Sequence, residues 1–555
     1  MSATLASRWS TRLERHPYLW LSLVCALLYL PGIARLPVVD RDEARYLQAT
    51  RQMLESGDLI SIRFQATARN KKPVGIHWLQ ALAVGTLSDA RSNAAWPYRI
   101  PSVLGAWASV LLTFRFARGR LGGRLALLAA VALASSIALA SQALQARPDA
   151  ALLATVIVAQ AALGRVYLGW RAGSREPVDW RTVVAFWACL GAGFLLKGPV
   201  GLGVTGLTAL ALALTHRSGR WLLELRPLAG ALIFSAVVLP WSLAVSLGTE
   251  GEFFREAASR DWLAKLSSAQ EGHGAPPGYY ALTALLAFWP ASLLLAPALA
   301  AAWRERTDPV VAFCLAWALP TWLLLELVPT KLPHYTLPLF PALALLVARL
   351  ASGASAPPLR PAFAWTYRGL WLLATGMLAL VLALLPVSLG MSASPVALGL
   401  AGVVLTASVV LVSLDYRRRP AAVLGAGLVA ALALVPALSA LCLPALTPAW
   451  LSQSVAEAVQ AARRYPGETV AVSGIAEPSL VFLLGTRTRL TDPEGAVQHM
   501  VTGPGHLAVV SEGDRPAFEQ ALGARRRSAQ LQASVRGLNY SKGRWTTLHV
   551  YRLAR

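Results

Sequence analysis

Of the chain's 555 residues, 55% are hydrophobic and 14% charged, and the mean hydropathy is +0.51, far too apolar for a soluble globular protein. The formal net charge of +23 does not argue for a nucleic-acid partner, because many of the arginines sit in short loops between apolar runs, where they set membrane topology. The four cysteines (Cys25, Cys189, Cys314, Cys442) all lie inside apolar runs, with neither a disulfide framework nor metal-ligand spacing.

Apolar stretches long enough to cross a hydrocarbon core as helices fall at 18–35, 98–117, 124–141, 150–169, 181–197, 199–215, 227–247, 279–302, 309–328, 335–351, 366–388, 395–414 and 420–444. The first has Arg8, Arg12 and Arg15 before it and no small-residue cleavage site after it, so it reads as an uncleaved span. One alternate set of short loops is arginine-rich: Arg115 to Arg124, Arg165 to Arg175, Arg217 and Arg220, Arg304 and Arg306, Arg417 to Arg419. The other set carries Arg147, Lys197 and Lys331 singly. The positive-inside rule then puts the N-terminus in the cytoplasm and the sparse loops and C-terminal segment outside. The run 74–89 spoils this alternation if counted as a span, and reads instead as an interfacial helix.

Two outer loops are long, 36–97 and 248–278. In the first, Tyr46, Leu47, Thr50, Met53 and Leu54, flanked by Arg45 and Arg51, form one helical face that suits a helix on the bilayer surface. In the second, Phe254, Ala258, Trp262 and Leu266 repeat every fourth residue and suggest another. ASGASAPPLRP reads as a flexible cytoplasmic linker. After about Leu451 the composition turns ordinary: TVAVSG, HLAVVSEG and WTTLHVYRL read as strands and AFEQALGARRR as a helix. The predicted organisation is a membrane domain over 1–445 and a small α/β domain over 446–555.

The chemistry-bearing residues gather on the outer side. Asp40, Asp42 and Glu43 lie within four residues. Asp40-Arg41-Asp42 matches the DxD pattern that holds metal and nucleotide sugar in soluble glycosyltransferases, but nucleotide sugars are not supplied outside the membrane. Asp40 can also be a helix N-cap with Glu43 as its capping-box partner; that leaves Asp42 free to face a cleft. Arg147 and Asp149 lie in SQALQARPDAAL, Lys197 in FLLKGPVG, Lys331, His334 and Tyr335 in LELVPTKLPHYTLPLFP, Lys71 and Lys72 before Pro73, and His273 in EGHGAPPGYY. Single lysines near span ends often only snorkel. A set of lysines with a tyrosine at one membrane face is what a phosphate headgroup needs, and ionisable groups at membrane depth are functional candidates.

DEARYLQATRQMLESGD, KKPVGIHWLQAL, RPD, LLKGP, HGAPPGYY and KLPHYTLPLFPALALL occur in the order seen in the lipid A aminoarabinose transferase family. The chain resembles that family, part of the protein O-mannosyltransferase superfamily of GT-C glycosyltransferases, well over 18–350 and only in architecture elsewhere. The resemblance implies a GT-C fold of about thirteen transmembrane helices with a C-terminal periplasmic domain. It implies an inverting enzyme of the bacterial inner membrane, with a polyprenyl-phosphate-linked sugar as donor and a lipid A-type glycolipid as acceptor. Matched by motif, Asp42 is the essential acidic residue, as general base or electrostatic partner, and Asp149 is a second acidic position. Lys72, Lys331, Tyr335 and Lys197 belong to the donor-phosphate pocket. Glu43, Arg45, Arg147, His273 and Lys71 are further candidates. Lys71 stands where the family's Glu-Lys-Pro motif has a glutamate that can help hold a divalent ion, so the resemblance implies no certain cofactor. Transfer to a protein hydroxyl or another polysaccharide uses the same chemistry and stays open. A transporter is disfavoured, because the polar residues lie at one face rather than at the midplane.

Overall fold

The structure, a computed structural model, describes the chain except residues 1–14, 91, 175, 263, 265–273, 353–358, 466, 503–505 and 555, and the side chains of 260–262. His273, Leu266 and most of the predicted linker therefore lie outside the described residues. The chain is a multi-pass membrane protein. Among the described residues nine helices are long and apolar enough to cross a membrane, or ten if Gly123–Ala134 and Ile137–Ala143, bent by 63° at a short break, make one span. Pro17–Tyr29, Val200–Thr215 and Ala291–Arg304 are apolar but shorter. The first two have 13 and 16 residues, which at ~1.5 Å per residue reach only about 20–24 Å. The thirteen expected spans thus exceed those that meet full span length. Proline marks the breaks: Pro31 follows the first short helix, Pro199 precedes the second, and Pro290 splits the expected span 279–302 into Tyr279–Ala287 and Ala291–Arg304. The run 74–89 forms a single helix, Gly75–Leu87.

Two close approaches bind the corner of the membrane domain that carries Lys72 and Asp149. A Cβ on Gly105 would lie 2.5 Å from the Ala151 backbone nitrogen, so only glycine lets helix Trp96–Leu121 touch the first turn of Asp149–Arg171. A Cβ on Gly75 would lie 2.8 Å from the Leu195 carbonyl carbon, seating helix Gly75–Leu87 on the end of Trp180–Lys197. Lys72 enters this corner three residues before Gly75.

The helix Asp42–Ser56 does not lie on lipid. Its face is covered by protein: Tyr46, Leu47 and Met53 are buried. The Thr50 hydroxyl donates to Gln80 Oε1 (2.7 Å) and meets His77 Nδ1 at 2.7 Å. On the helix's other side Gln48 Nε2 donates to Thr486 Oγ1 (2.8 Å) and Arg51 Nη1 to the Phe482 carbonyl (2.7 Å). A face that mixes Gln48, Thr50 and Arg51 with apolar residues finds these partners only inside protein. In the second loop a helix spans Glu252–Glu256, and Phe254 packs edge-on against Trp241 rather than standing alone at the interface.

A small hairpin, β1 (Arg63–Phe64) and β2 (Thr67–Ala68), decorates the first outer loop. The C-terminal domain is a five-stranded mixed sheet in the order β4-β3-β5-β7-β6. Its strands are β3 (Val470–Ser473), β4 (Arg489–Thr491), β5 (Leu507–Ser511), β6 (Ala529–Asn539) and β7 (Arg544–Leu553). β3 pairs in parallel with β4 and β5, while β7 runs antiparallel to β5 and β6. β3 and β5 are buried along their whole length, as continuous apolar runs at the centre of a parallel sheet should be. Helices Leu451–Ala462 and Pro478–Leu484 pack one face into the cluster that includes Leu47 and Tyr98 of the membrane domain.

Candidate active site

Three carboxylates in four residues take three different partners. The N-terminal residue flanking helix Asp42–Ser56 is Arg41, whose side chain does not cap it, so the predicted capping role of Asp40 is not realised. Asp40 instead reaches the C-terminal domain, its Oδ1 accepting from the Ser479 backbone N–H at 3.1 Å, while its own N–H donates to the Tyr540 hydroxyl (2.6 Å). Burial first, with the Glu477 charge adding to it, pushes the Asp40 carboxyl up to about 6 against the Ser479 and Ser452 hydrogen bonds. Glu43 is 1% exposed and receives Arg99 through two bonds of 2.8 and 2.9 Å. It also accepts from the backbone N–H groups of Val39 and Ala146, each at 2.8 Å. The glutamate does reach back before the helix, to Val39 rather than to Asp40.

Asp42, in the first helical turn, is left facing outward with 44% of its side chain exposed. Its Oδ2 accepts from Arg147 Nη2 at 2.5 Å and Arg45 Nη1 stands 3.8 Å from Oδ1. Burial disfavours the charge here, but Arg147, then Arg69 and Arg45, outweigh it and bring the carboxyl down to about 2. The Arg147 backbone is held in turn by Ser102, whose hydroxyl donates to the Arg147 carbonyl (2.8 Å).

Next to this pair lies a second one. Asp149, first residue of helix Asp149–Arg171, accepts from Lys197 Nζ at 2.5 Å, and His334 Nε2 lies 3.8 Å away. Lys197 Nζ also sits over the Tyr335 ring, 5.3 Å from its centre, and the His334 and Tyr335 rings meet edge to face at 5.0 Å. Both aspartates occupy helix N-termini, where the peptide dipoles favour negative charge. The ends of three helices, at Asp42, Asp149 and Lys197, and the segment 330–335 thus converge on two adjacent carboxylate–cation pairs. Lys331 is 3% exposed and donates from Nζ to the Val328 carbonyl (2.6 Å). Lys72 is half-buried and Lys71 exposed, in the turn that precedes Gly75.

Two members of this cluster went unnoticed as site residues. Arg69 lies over the Tyr46 ring, 5.5 Å from its centre, and acts electrostatically on Asp42. The spacing Asp42 to Tyr46, one helical turn, was a usable signal: an i,i+4 pair shares a face, so Tyr46 sits with Asp42 rather than in lipid. Among the described residues no three of His, Cys, Asp and Glu are grouped to hold a metal ion. The donor set does not fit one either, because the motif's glutamate is Lys71 and both aspartates are engaged by cations.

Residues 71–243 match the family model described as dolichyl-phosphate-mannose-protein mannosyltransferase. A transferase of Pseudomonas paraeruginosa named undecaprenyl phosphate-alpha-4-amino-4-deoxy-L-arabinose arabinosyl transferase is 33% identical over 376 residues, 67% of this chain and 65% of its own length. The chain is similar in sequence to that transferase over this length. A namesake from Edwardsiella ictaluri is 30% identical over 59% of this chain and 58% of its own. The chain thus spans slightly less than two thirds of the length of the curated relatives it matches. Over 98% of both chains, the fold matches the crystal structure of ArnT from Cupriavidus metallidurans bound to undecaprenyl phosphate, with a TM-score of 0.72 at 19% identity. The GT-C architecture expected from the motifs is therefore present, and it extends through the C-terminal sheet domain, where the motif resemblance had weakened.

Proposed function

We propose that this protein is a membrane glycosyltransferase that moves a sugar, 4-amino-4-deoxy-L-arabinose by analogy with its relatives, from undecaprenyl phosphate to lipid A at the periplasmic face of the bacterial inner membrane. The observation that carries the proposal is the half-exposed Asp42–Arg147 pair beside the Asp149–Lys197–Tyr335 group. In the reaction the bond from the anomeric carbon to the donor phosphate oxygen breaks and one to an acceptor oxygen forms on the opposite face. The departing polyprenyl phosphate carries the negative charge. Lys197, with Lys72, Lys331 and the Tyr335 hydroxyl, holds that charge, a stabilisation that grows as the bond breaks. Asp149 keeps the Lys197 ammonium in place, and Asp42 does the same for the Arg147 guanidinium.

The low pKa of Asp42 refines its role. A carboxylate near 2 is a weak acceptor for a hydroxyl proton. A phosphate oxygen on the acceptor needs no deprotonation, so Asp42 serves as a fixed negative charge beside the sugar, favouring the positive charge that develops at the anomeric carbon. Arg147 and Arg69 then face the anionic acceptor. A phosphorylated glycolipid fits this arrangement better than a protein hydroxyl.

Membrane vesicles given radiolabelled polyprenyl-phosphate sugar test the proposal. Label should pass covalently to the phosphoglycolipid and stop doing so in Asp42→Asn, with a wild-type rate that is level from about pH 5 to 8. Label that only crosses the bilayer, or an acid limb near pH 6 that vanishes with Asp42, would overturn it.

A further inference from the structure

At the arginine-rich end of the membrane domain, away from Asp42, helices Trp96–Leu121, Asp149–Arg171 and Trp180–Lys197 enclose a cavity of about 810 Å³. Its walls are apolar, with Phe116, Ile157 and Ala161 among them, and its lining includes Arg115, Arg120, Arg165 and Arg181 against a single acid, Asp179. Asp149 and Arg165 lie on one helix, 16 residues and so ~24 Å apart along it, which separates this cavity from the site above.

The arginines are incompletely partnered. Arg165 pairs with Asp179 at 2.9 Å. Arg120 donates from Nη1 to the Phe116 carbonyl (2.8 Å) and lies over that ring at 4.0 Å, while its buried Nε has no hydrogen-bond partner among the described residues. Arg115 and Arg181 line the cavity as exposed side chains, with no ion pair among the described residues. Arg165 is also exposed and Arg120 is half-buried. The cavity mouth thus presents guanidinium N–H donors for which phosphate oxygens supply two-pronged acceptors, and of the four only Arg120 keeps a buried N–H without one.

Depth separates the ligand classes. From Arg165 at the rim to Ile157 in the wall is eight residues of one helix, so the apolar slot runs ~12 Å into the span. A free phosphate or sugar phosphate would leave that slot empty, whereas a diacyl lipid fills it with hydrocarbon while its headgroup meets the rim. We propose that this cavity is a binding site for an anionic phospholipid of the leaflet at the arginine-rich end, distinct from the site at Asp42. Arg115 and Arg181 grip the headgroup phosphate, Arg120 supports them from below, and an acyl chain lies along Ile157 and Ala161.

Full-length protein in nanodiscs of phosphatidylcholine, with or without phosphatidylglycerol, tests this. The anionic lipid should raise the unfolding temperature by about 4 °C, and native mass spectra should retain it. Arg115→Gln with Arg181→Gln should cancel the rise and leave the melting temperature in phosphatidylcholine unchanged. Ala161→Trp, which fills the slot, should cancel it as well and serves if the double variant does not fold. An equal rise in wild type and variants, or no preference over phosphatidylcholine, overturns the site. The same rise produced by sn-glycerol 3-phosphate overturns the lipid as its occupant.

Discussion

Glu43 and Asp42 are chain neighbours, and each faces an arginine. Around Glu43 the environment is closed: Arg99 binds both oxygens, two backbone N–H groups complete the shell, and neither side chain of the pair is exposed. Asp42 receives one short bond from Arg147 and keeps 44% of its side chain open. Chain direction makes the difference, because at the first turn of helix Asp42–Ser56 successive residues point about 100° apart. One carboxylate turns toward the helix that carries Arg99, the other toward the gap between helices. A carboxylate whose acceptor sites are all filled has nothing left to offer a substrate.

The sharpest way to break this contrast is to neutralise each acid separately. Asp42→Asn should lower transfer by about 10²–10³-fold with an unfolding temperature close to wild type. Glu43→Gln leaves Arg99 buried with a neutral partner and should cost about 3 kcal/mol of stability, while molecules that remain folded keep most of their turnover. Thermal unfolding of the purified variants beside single-turnover transfer separates the two; if both lose activity and stability alike, the division between a holding and a working carboxylate fails. A second test moves to the neighbouring pair. Lys197→Ala strands the buried Asp149 and should lose both donor use and stability, and adding Asp149→Asn should recover the stability but not the transfer. A smaller effect is expected at the phosphate pocket: Lys72→Ala and Tyr335→Phe should each lower kcat/KM for donor about tenfold, roughly 1.4 kcal/mol, with most of the loss in kcat.

How legible these features were in the sequence depends on how local their cause is. The nine full-length spans among the described residues, the Gly75–Leu87 helix and the buried strands β3 and β5 follow from runs of hydrophobic residues, whereas the spans expected at 18–35, 199–215 and 279–302 are shortened or split next to proline. β6 escaped notice because it is an edge strand whose alternating outward residues are polar, as in QLQASVR. The seven-residue helix Pro478–Leu484 is too short for a helical period to register. The acidic cluster was visible, but its sorting was not. The partners of Glu43 and Asp40 lie 56 and 439 residues away, and no local pattern distinguishes a carboxylate that will be enclosed from one left open. Thr50 reads as facing lipid for the same reason, since only helix Gly75–Leu87, with His77 and Gln80, decides what covers it.

The third carboxylate supplies the finest test. Asp40 stands between its two neighbours in character: it is half-buried against the C-terminal domain with no cation partner among the described residues, accepting from the Ser479 N–H near Ser452 and Glu477. Its pKa, raised from 3.8 to about 6, means the folded state holds the proton more tightly than the unfolded one. Stability contributed at this contact is therefore present below about pH 4 and falls as pH rises through about 6, the reverse of a carboxylate paired with arginine. Asn keeps the carbonyl oxygen that Ser479 donates to and removes the buried charge. Asp40→Asn should accordingly stabilise the protein above pH 6, by about 1–2 kcal/mol, and make no difference at pH 4. Unfolding temperatures of variant and wild type that stay parallel across this range would place Asp40 with Asp42, as an acid whose charge the fold accommodates, rather than as a neutral link between the two domains.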